Sequence, residues 1–166
     1  MYDTTIRTIF STDPIIKKWF KGFSNPDRPL PKLNKKPAIV ILNTDSFKGS
    51  GLHWCVVTFF NKKECEFFDP LGKRPDFYNF QHSLFQECSV IKYNKFPVQS
   101  LNSINCGHHC IFFAHHRARG LDPAEIMFFY SKNDLAFNDR MVYAFIRENY
   151  GKMLASDGDD VAFRLV

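Results

Sequence analysis

The sequence predicts an α+β fold, a small central mixed sheet packed by helices. Three features carry that expectation. Short apolar, β-branched runs cluster between residues 38 and 94, helical periodicity takes over from Asn105, and the segments between them hold turn chemistry. A length of 166 residues with 45% hydrophobic content, 19 of them Phe, suits one domain (1–166) with a sizeable core.

In chain order, residues 4–23 hold helical candidates interrupted by Asp13-Pro14, where Asp13 can cap a short helix IIKKWF. Residues 24–37 contain Pro26, Pro29, Pro31 and Pro37, so 1–37 is expected to be an N-terminal helical and irregular segment. AIVIL (38–42) reads as a buried strand and 43–51 as a loop. HWCVVTFF (53–60) and ECEFFD (64–69) flank Asn61-Lys62-Lys63 and are predicted to pair as a hairpin. Residues 75–88 read as helix and 89–94 as a further strand. CGHHCIFFAHHRAR is helical, with Asn105 as its N-cap and Gly120 as its stop. A last amphipathic helix covers 133–149, and 151–166 is expected to be a loose tail.

Composition narrows the function classes. No apolar run approaches the ~20 residues of a membrane helix, and MYDTTIRTIF lacks the layout of a secretory signal. Five cysteines, an odd number, argue for reduced thiols in an intracellular protein. The net charge of +5 is uneven: residues 17–36 hold seven Lys and Arg against Asp27 alone. Lys17, Lys18, Lys35 and Lys36 are therefore candidates for contact with DNA or another polyanion, or simply a solvated face.

The chemistry sits at the ends of these elements. His53 opens one strand of the predicted hairpin and Asp69 closes the other, so antiparallel pairing brings them to one sheet edge. A carboxylate there fixes the imidazole tautomer and stabilises the imidazolium. Cys106 falls in the first turn of a predicted helix, where unpaired amides favour thiolate over thiol. A Cys–His pair so placed attacks carbonyls. Gln99, seven residues upstream, can offer its side-chain amide to a developing oxyanion, with the Cys106 amide as the second donor. Gly107 leaves room for a substrate backbone.

The ordered set His-Trp, Asp-Pro, Gln and Cys-Gly, within AIVILNTD…GLHWCVV, CEFFDPLG and VQSLNSINCGHHC, resembles the adenovirus-type protease (adenain) family. That family shares its fold with the SUMO and ubiquitin-like-protein proteases. FKGFSNPDRPLP is similar to the entry segment of such proteases in viruses and virus-like DNA transposons, and the likeness runs from about Phe20 to Tyr150. The resemblance implies triad roles for His53, Asp69 and Cys106 and an oxyanion role for Gln99. It implies that Trp54 walls the substrate cleft, with Gly51 and Gly107 beside the reacting atoms. Asp69 stands where adenovirus enzymes carry Glu and matches the SUMO-protease branch instead. The implied substrates are virion or element-encoded precursor proteins such as capsid polyproteins, cut near Gly, without cofactor or metal, in host cytoplasm, nucleus or virion.

Rival readings use the same residues. A SUMO or ubiquitin-like-protein isopeptidase and an acyltransferase both fit a Cys-His-Asp set, and a binding module could carry one unused. Cys106, His109, Cys110, His115 and His116 also have the residue types of zinc ligands, although one helix supplies at most two or three of them. His108 and His109 are expected to be partly exposed. His115, His116, Arg117 and Arg119 read as a basic last turn, and Phe112, Phe113, Phe128, Phe129, Phe137 and Phe145 as core.

Overall fold

The structure, a computed structural model, describes residues 1, 3–45 and 53–156, the side chains of 155 and 156 excepted. Its frame is a five-stranded sheet in the order β1-β2-β3-β4-β5. The strands are β1 (Phe20–Ser24), β2 (Ala38–Asn43), β3 (Trp54–Phe59), β4 (Glu64–Phe68) and β5 (Val90–Tyr93). The three central strands are antiparallel to one another, and the two edge strands run parallel to their neighbours, so the sheet is mixed.

Side chains alternate across the central strands, and each face has its own core. Ile39, Ile41, Trp54, Val56 and Phe68 meet the helices α1 (Asp3–Thr12), α4 (Cys106–Ala118) and α6 (Leu135–Ser156). Val40, Leu42, Cys55, Val57 and Phe67 point the other way, against Leu33, Phe80 and Leu84. Both faces of the central strands are thus covered, as their mainly apolar runs require, with Thr58 and Glu66 as buried polar exceptions.

Several boundaries differ from the sequence reading. The helical candidate 4–23 stops at α2 (Ile16–Trp19), and Phe20–Ser24 is a strand. Gly22 has a φ of +127°, which no helix accommodates, while Phe20 and Phe23 pack edge-on to each other at 5.1 and 5.8 Å from Phe10 and Trp54 respectively. Asp13 does cap: its Oδ1 accepts from the Ile15 and Ile16 amides at 2.9 Å. Residues 75–88 are a 3-10 turn (Pro75–Tyr78) followed by α3 (Gln81–Phe85), broken where Asn79 takes a φ of +61°. A short helix, α5 (Pro123–Met127), opens with a capping box between Asp122 and Glu125 whose D-P-x-E signature is visible in the sequence.

The expected loose tail is helical as far as Ser156, because Leu154 is fully buried and extends the apolar seam past Gly151; residues 157–166 lie outside the described residues. The predicted Phe stripe divides. Phe112, Phe113 and Phe145 belong to the core, whereas Phe128, Phe129 and Phe137 are 88%, 45% and 46% exposed.

Candidate active site

Hairpin register explains how His53 and Asp69 meet. Val56 pairs with Phe68, so Cys55 faces Asp69 one step further on and His53 lies just beyond the strand end. His53 Nε2 is 2.5 Å from Asp69 Oδ1. A carboxylate can only accept, so Nε2 carries the proton and Nδ1 is left for Cys106, with which His53 shares a hydrogen bond. The sequence-predicted trio therefore forms one chain, Cys106–His53–Asp69, at the end of the sheet where β3 begins and β4 ends.

Asp69 is itself held in place. Its Oδ1 accepts from the Leu71 amide at 2.9 Å, and its Oδ2 from the Lys73 amide at 2.8 Å and the Tyr78 hydroxyl at 3.2 Å. The turn that supplies those amides needs Gly72. Its φ is +69°, and a Cβ there would come within 2.6 Å of the Phe96 carbonyl carbon and 2.7 Å of Pro97 N. Tyr78 also tilts over His53 with ring centroids 5.9 Å apart. Tyr78 and Cys55, which hydrogen-bonds the same carboxylate, are site residues that the sequence reading missed. Only the family-independent rule that a triad acid needs its own donors would have prompted a search for them.

Charge follows from these contacts. Burial on its own would lower the His53 pKa, but the hydrogen bonds and negative charge of Asp69 and Cys106 outweigh it and raise it to about 9. Burial opposes ionisation of Cys106; the His53 hydrogen bond, the His53 charge and a backbone hydrogen bond from Trp54 outweigh that and lower its pKa. Cys106 is the first residue of α4, so its sulfur also lies at the positive end of the helix dipole. Asn105 precedes it without a side-chain cap hydrogen bond, contrary to the expected N-cap role; its amide instead donates to Ser103 Oγ at 3.1 Å.

Gln99 is 3% exposed on the segment between β5 and α4. Its backbone amide donates to Pro70 O at 3.1 Å, joining this segment to the turn after Asp69. Its Nε2 donates to Ser103 O at 2.7 Å, which leaves one N–H of the same nitrogen, while Oε1 is buried without a partner.

The remaining predicted contacts differ from their sequence rationale. Trp54 lies on the α4 face of the sheet, 8% exposed, against Phe23, with Nε1 donating to Met1 O at 3.2 Å. Its backbone serves the site more directly: the amide bonds Cys106, and the carbonyl accepts from Cys110 Sγ at 3.2 Å. The clearance at Gly107 is filled by the N-terminal segment, since a Cβ would meet Met1 Sδ at 3.0 Å and Ile6 Cδ1 at 3.2 Å. Gly51 lies outside the described residues.

The helix histidines are individually engaged rather than gathered. His109 Nε2 bonds Asp139 at 3.0 Å, His115 Nδ1 bonds Tyr150 OH at 2.6 Å, and His116 Nδ1 bonds Phe112 O at 2.9 Å. His108 and His109 are 5% and 0% exposed, not partly exposed as expected, because both face α6 or the helix α5 corner (Tyr143 and Tyr130) across the core. The predicted basic last turn is likewise absorbed: burial pushes His115 down to about 4, Arg117 pairs with Glu66, and Arg119 pairs with Asp13. Ligand atoms of His53, Cys55 and Asp69 do lie within 4.8 Å of one another, but His53 and Asp69 are already joined and burial pushes the Cys55 thiol well up.

The sequence profile of the family described as Adenovirus endoprotease matches residues 15–150. No curated protein sequence matches the chain significantly. The crystal structure of the ASFV pS273R protease is similar at 20% identity and a TM-score of 0.35, over 64% of this chain and 44% of that one. The chain thus spans less than half the length of that protein.

Proposed function

The chain belongs to the adenovirus endoprotease family, a family of cysteine proteases, and from that premise we propose that it is an endopeptidase with Cys106 as nucleophile, His53 as base and acid, Asp69 as orienting carboxylate and Gln99 as oxyanion donor. The observation that carries the reading is the continuous Cys106–His53–Asp69 hydrogen-bonded chain at a helix start.

The Cys106 thiolate adds to the substrate carbonyl carbon, forming the C–S bond and an oxyanion that the Cys106 amide and the remaining Gln99 N–H can receive. His53 Nδ1–H then protonates the leaving amine as the C–N bond breaks, leaving a thioester. Water attacks that thioester, its proton passes to Nδ1, and the acid departs as the thiolate returns. Asp69 keeps Nε2 protonated throughout, and its own donors prevent it from rotating away.

Cleavage is proposed to fall near Gly in virion or element-encoded precursors. Support comes from the family resemblance alone, since the Trp54 indole packs into the α4-face core against Phe23 and only its backbone reaches Cys106. The test is incubation with capsid precursors and with C-terminal aldehydes of SUMO and ubiquitin, using wild type and Cys106→Ala. Cleavage of precursors next to Gly supports the reading. Capture by a modifier aldehyde alone moves the chain to the isopeptidase branch, and acyl transfer to Ser, Thr or Lys without hydrolysis makes it an acyltransferase.

A polyanion contact through Lys17, Lys18 and Lys35 is a secondary proposal. All three are exposed, whereas Lys36 turns inward to Asn61 O and Glu87 O at 3.0 and 3.2 Å. Lys35 adjoins Lys36, which sits where β2 begins and β3 ends, the sheet end opposite His53, so a polyanion on Lys35 tethers the enzyme without touching Cys106. Affinity for DNA should fall log-linearly with salt, and Gln at all three positions should flatten the slope. Among the described residues no helix is long and apolar enough to cross a membrane.

A further inference from the structure

We propose that Asp139, on α6, is the positioning residue of the oxyanion hole, fixing the loop that carries Gln99 against the helix that carries Cys106. The inference rests on the protease reading above. A Gln side chain on an irregular segment must be held with the accuracy that oxyanion binding needs.

The segment 98–105 is pinned from two sides. On one side the Val98 and Gln99 amides donate to Pro70 O at 2.8 and 3.1 Å, next to Asp69. On the other, two consecutive residues of α6 take over. Asn138 Nδ2 donates to Val98 O at 3.0 Å, and Asp139 Oδ2 accepts from the Ser100 amide at 3.2 Å. Asp139 Oδ1 accepts from Ser103 Oγ at 3.0 Å, and Ser103 O is the acceptor that fixes Gln99 Nε2 at 2.7 Å. The carboxylate therefore grips the residues on both sides of the turn that orients the Gln99 amide.

The same Oδ1 also accepts from His109 Nε2 at 3.0 Å. His109 is fully buried one turn after Cys106 on α4, and its other nitrogen meets Tyr130 OH at 3.3 Å. One carboxylate thus ties three parts: the Gln99 turn, the Cys106 helix and α6. The Asn105 amide also donates to Ser103 Oγ at 3.1 Å, but that bond stays within the segment leading into α4, whereas Asp139 ties Ser103 to His109 one turn along the helix. Without Asp139 the segment would keep its anchors at Pro70 O and Asn138 but lose the carboxylate that fixes the Ser100–Ser103 turn, and through it Gln99 Nε2, against α4. Asp139 touches neither sulfur nor substrate, so its effect must travel through Gln99.

The test uses the full chain in five forms: wild type, Gln99→Ala, Asp139→Asn, Asp139→Ala and the Gln99→Ala/Asp139→Ala double variant. The probe is N-acetyl-Leu-Arg-Gly-glycinal, whose hemithioacetal oxygen occupies an oxyanion hole. Its affinity is read as protection of Cys106 from iodoacetamide, which builds no oxyanion. We expect Asp139→Ala to weaken the aldehyde by about 10–100-fold, on the scale of a misplaced catalytic donor. Iodoacetamide alkylation and its pH profile should stay within about twofold, and the double variant should be no weaker than Gln99→Ala alone. Asp139→Asn keeps an acceptor for the Ser100 amide, so it should fall between wild type and Ala and serve if Ala impairs folding. Full additivity with Gln99→Ala, or alkylation falling in parallel with aldehyde affinity, overturns the inference. Protected wild type with a weakened Gln99→Ala but unaffected Asp139 variants overturns it while leaving the protease reading intact. A wild type that iodoacetamide alkylates, but that neither this aldehyde nor a glycinal built on a cleaved precursor sequence protects, overturns both.

Discussion

Two buried imidazoles in this molecule each face an aspartate, and they end up in opposite states. His53 bonds Asp69 at 2.5 Å and its pKa is raised to about 9. His109 bonds Asp139 at 3.0 Å, yet burial holds its pKa below the ordinary value. The difference lies on the far nitrogen. His53 Nδ1 meets a sulfur that can carry negative charge, while His109 Nδ1 meets the neutral Tyr130 hydroxyl. A carboxylate alone does not raise the pKa of a buried histidine; at His53 a second ionisable partner does. In the proposed mechanism the first pair moves protons, while the second joins α4 to α6 and to the Gln99 turn.

The sharpest way to break the comparison is to remove the chemistry from one pair only. Cys106→Ala or His53→Ala should each lower kcat/KM by at least ~10⁴-fold with the fold retained, and the double variant should lose little more, since the two act as a unit. Peptide turnover by a folded Cys106→Ala protein would sink the mechanism. Next in size, Gln99→Ala should lower kcat by about 10²–10³-fold while iodoacetamide alkylation stays near wild type. Alkylation dropping as steeply as turnover would give Gln99 a structural role instead.

On the other pair, His109→Phe leaves Asp139 and Tyr130 without their shared partner. The expected cost is stability, about 1–3 kcal/mol in a denaturant titration, with the pH profile of Cys106 alkylation unmoved. A shifted profile would mean that the two pairs are coupled. The smallest effect expected is from Tyr78→Phe. Loss of one of several hydrogen bonds to Asp69 is worth about 0.5–1.5 kcal/mol, so kcat/KM should fall a few-fold.

Much of the first pair was legible in the sequence and almost none of the second. His53 and Asp69 flank a three-residue turn, so local pairing rules place them at one edge, and Cys106 announces itself at a helix start. Asp139 is far from Ser100 and His109 in sequence, and no periodicity reports which residue of an amphipathic helix will meet a distant loop. The parallel edge strand Phe20–Ser24 was hidden for a similar reason. Its partner lies across a Pro-rich excursion, and its lysine and aromatic content continues the preceding helical pattern until Gly22 ends it. His108 and His109 are expected from the helix position alone to be partly exposed; they are buried because Tyr143 of α6 and Tyr130 close over them.

The Cys106–His53 ion pair is best examined by following thiolate formation with pH. Alkylation of Cys106 by iodoacetamide should be measured from pH 4 to 10 in wild type and His53→Ala, beside peptide cleavage in wild type. The signs are opposite for the two groups: Cys106 is lowered, so thiolate appears on the acid side of the ordinary thiol range, and His53 is raised to about 9, so imidazolium persists until then. Wild-type alkylation should therefore be fast already at neutral pH and remain fast above 9, whereas cleavage should fall as His53 loses its proton. In His53→Ala the alkylation curve should move toward alkaline pH, since burial then acts on the thiol without its partner. Superimposable curves for wild type and His53→Ala would contradict the account.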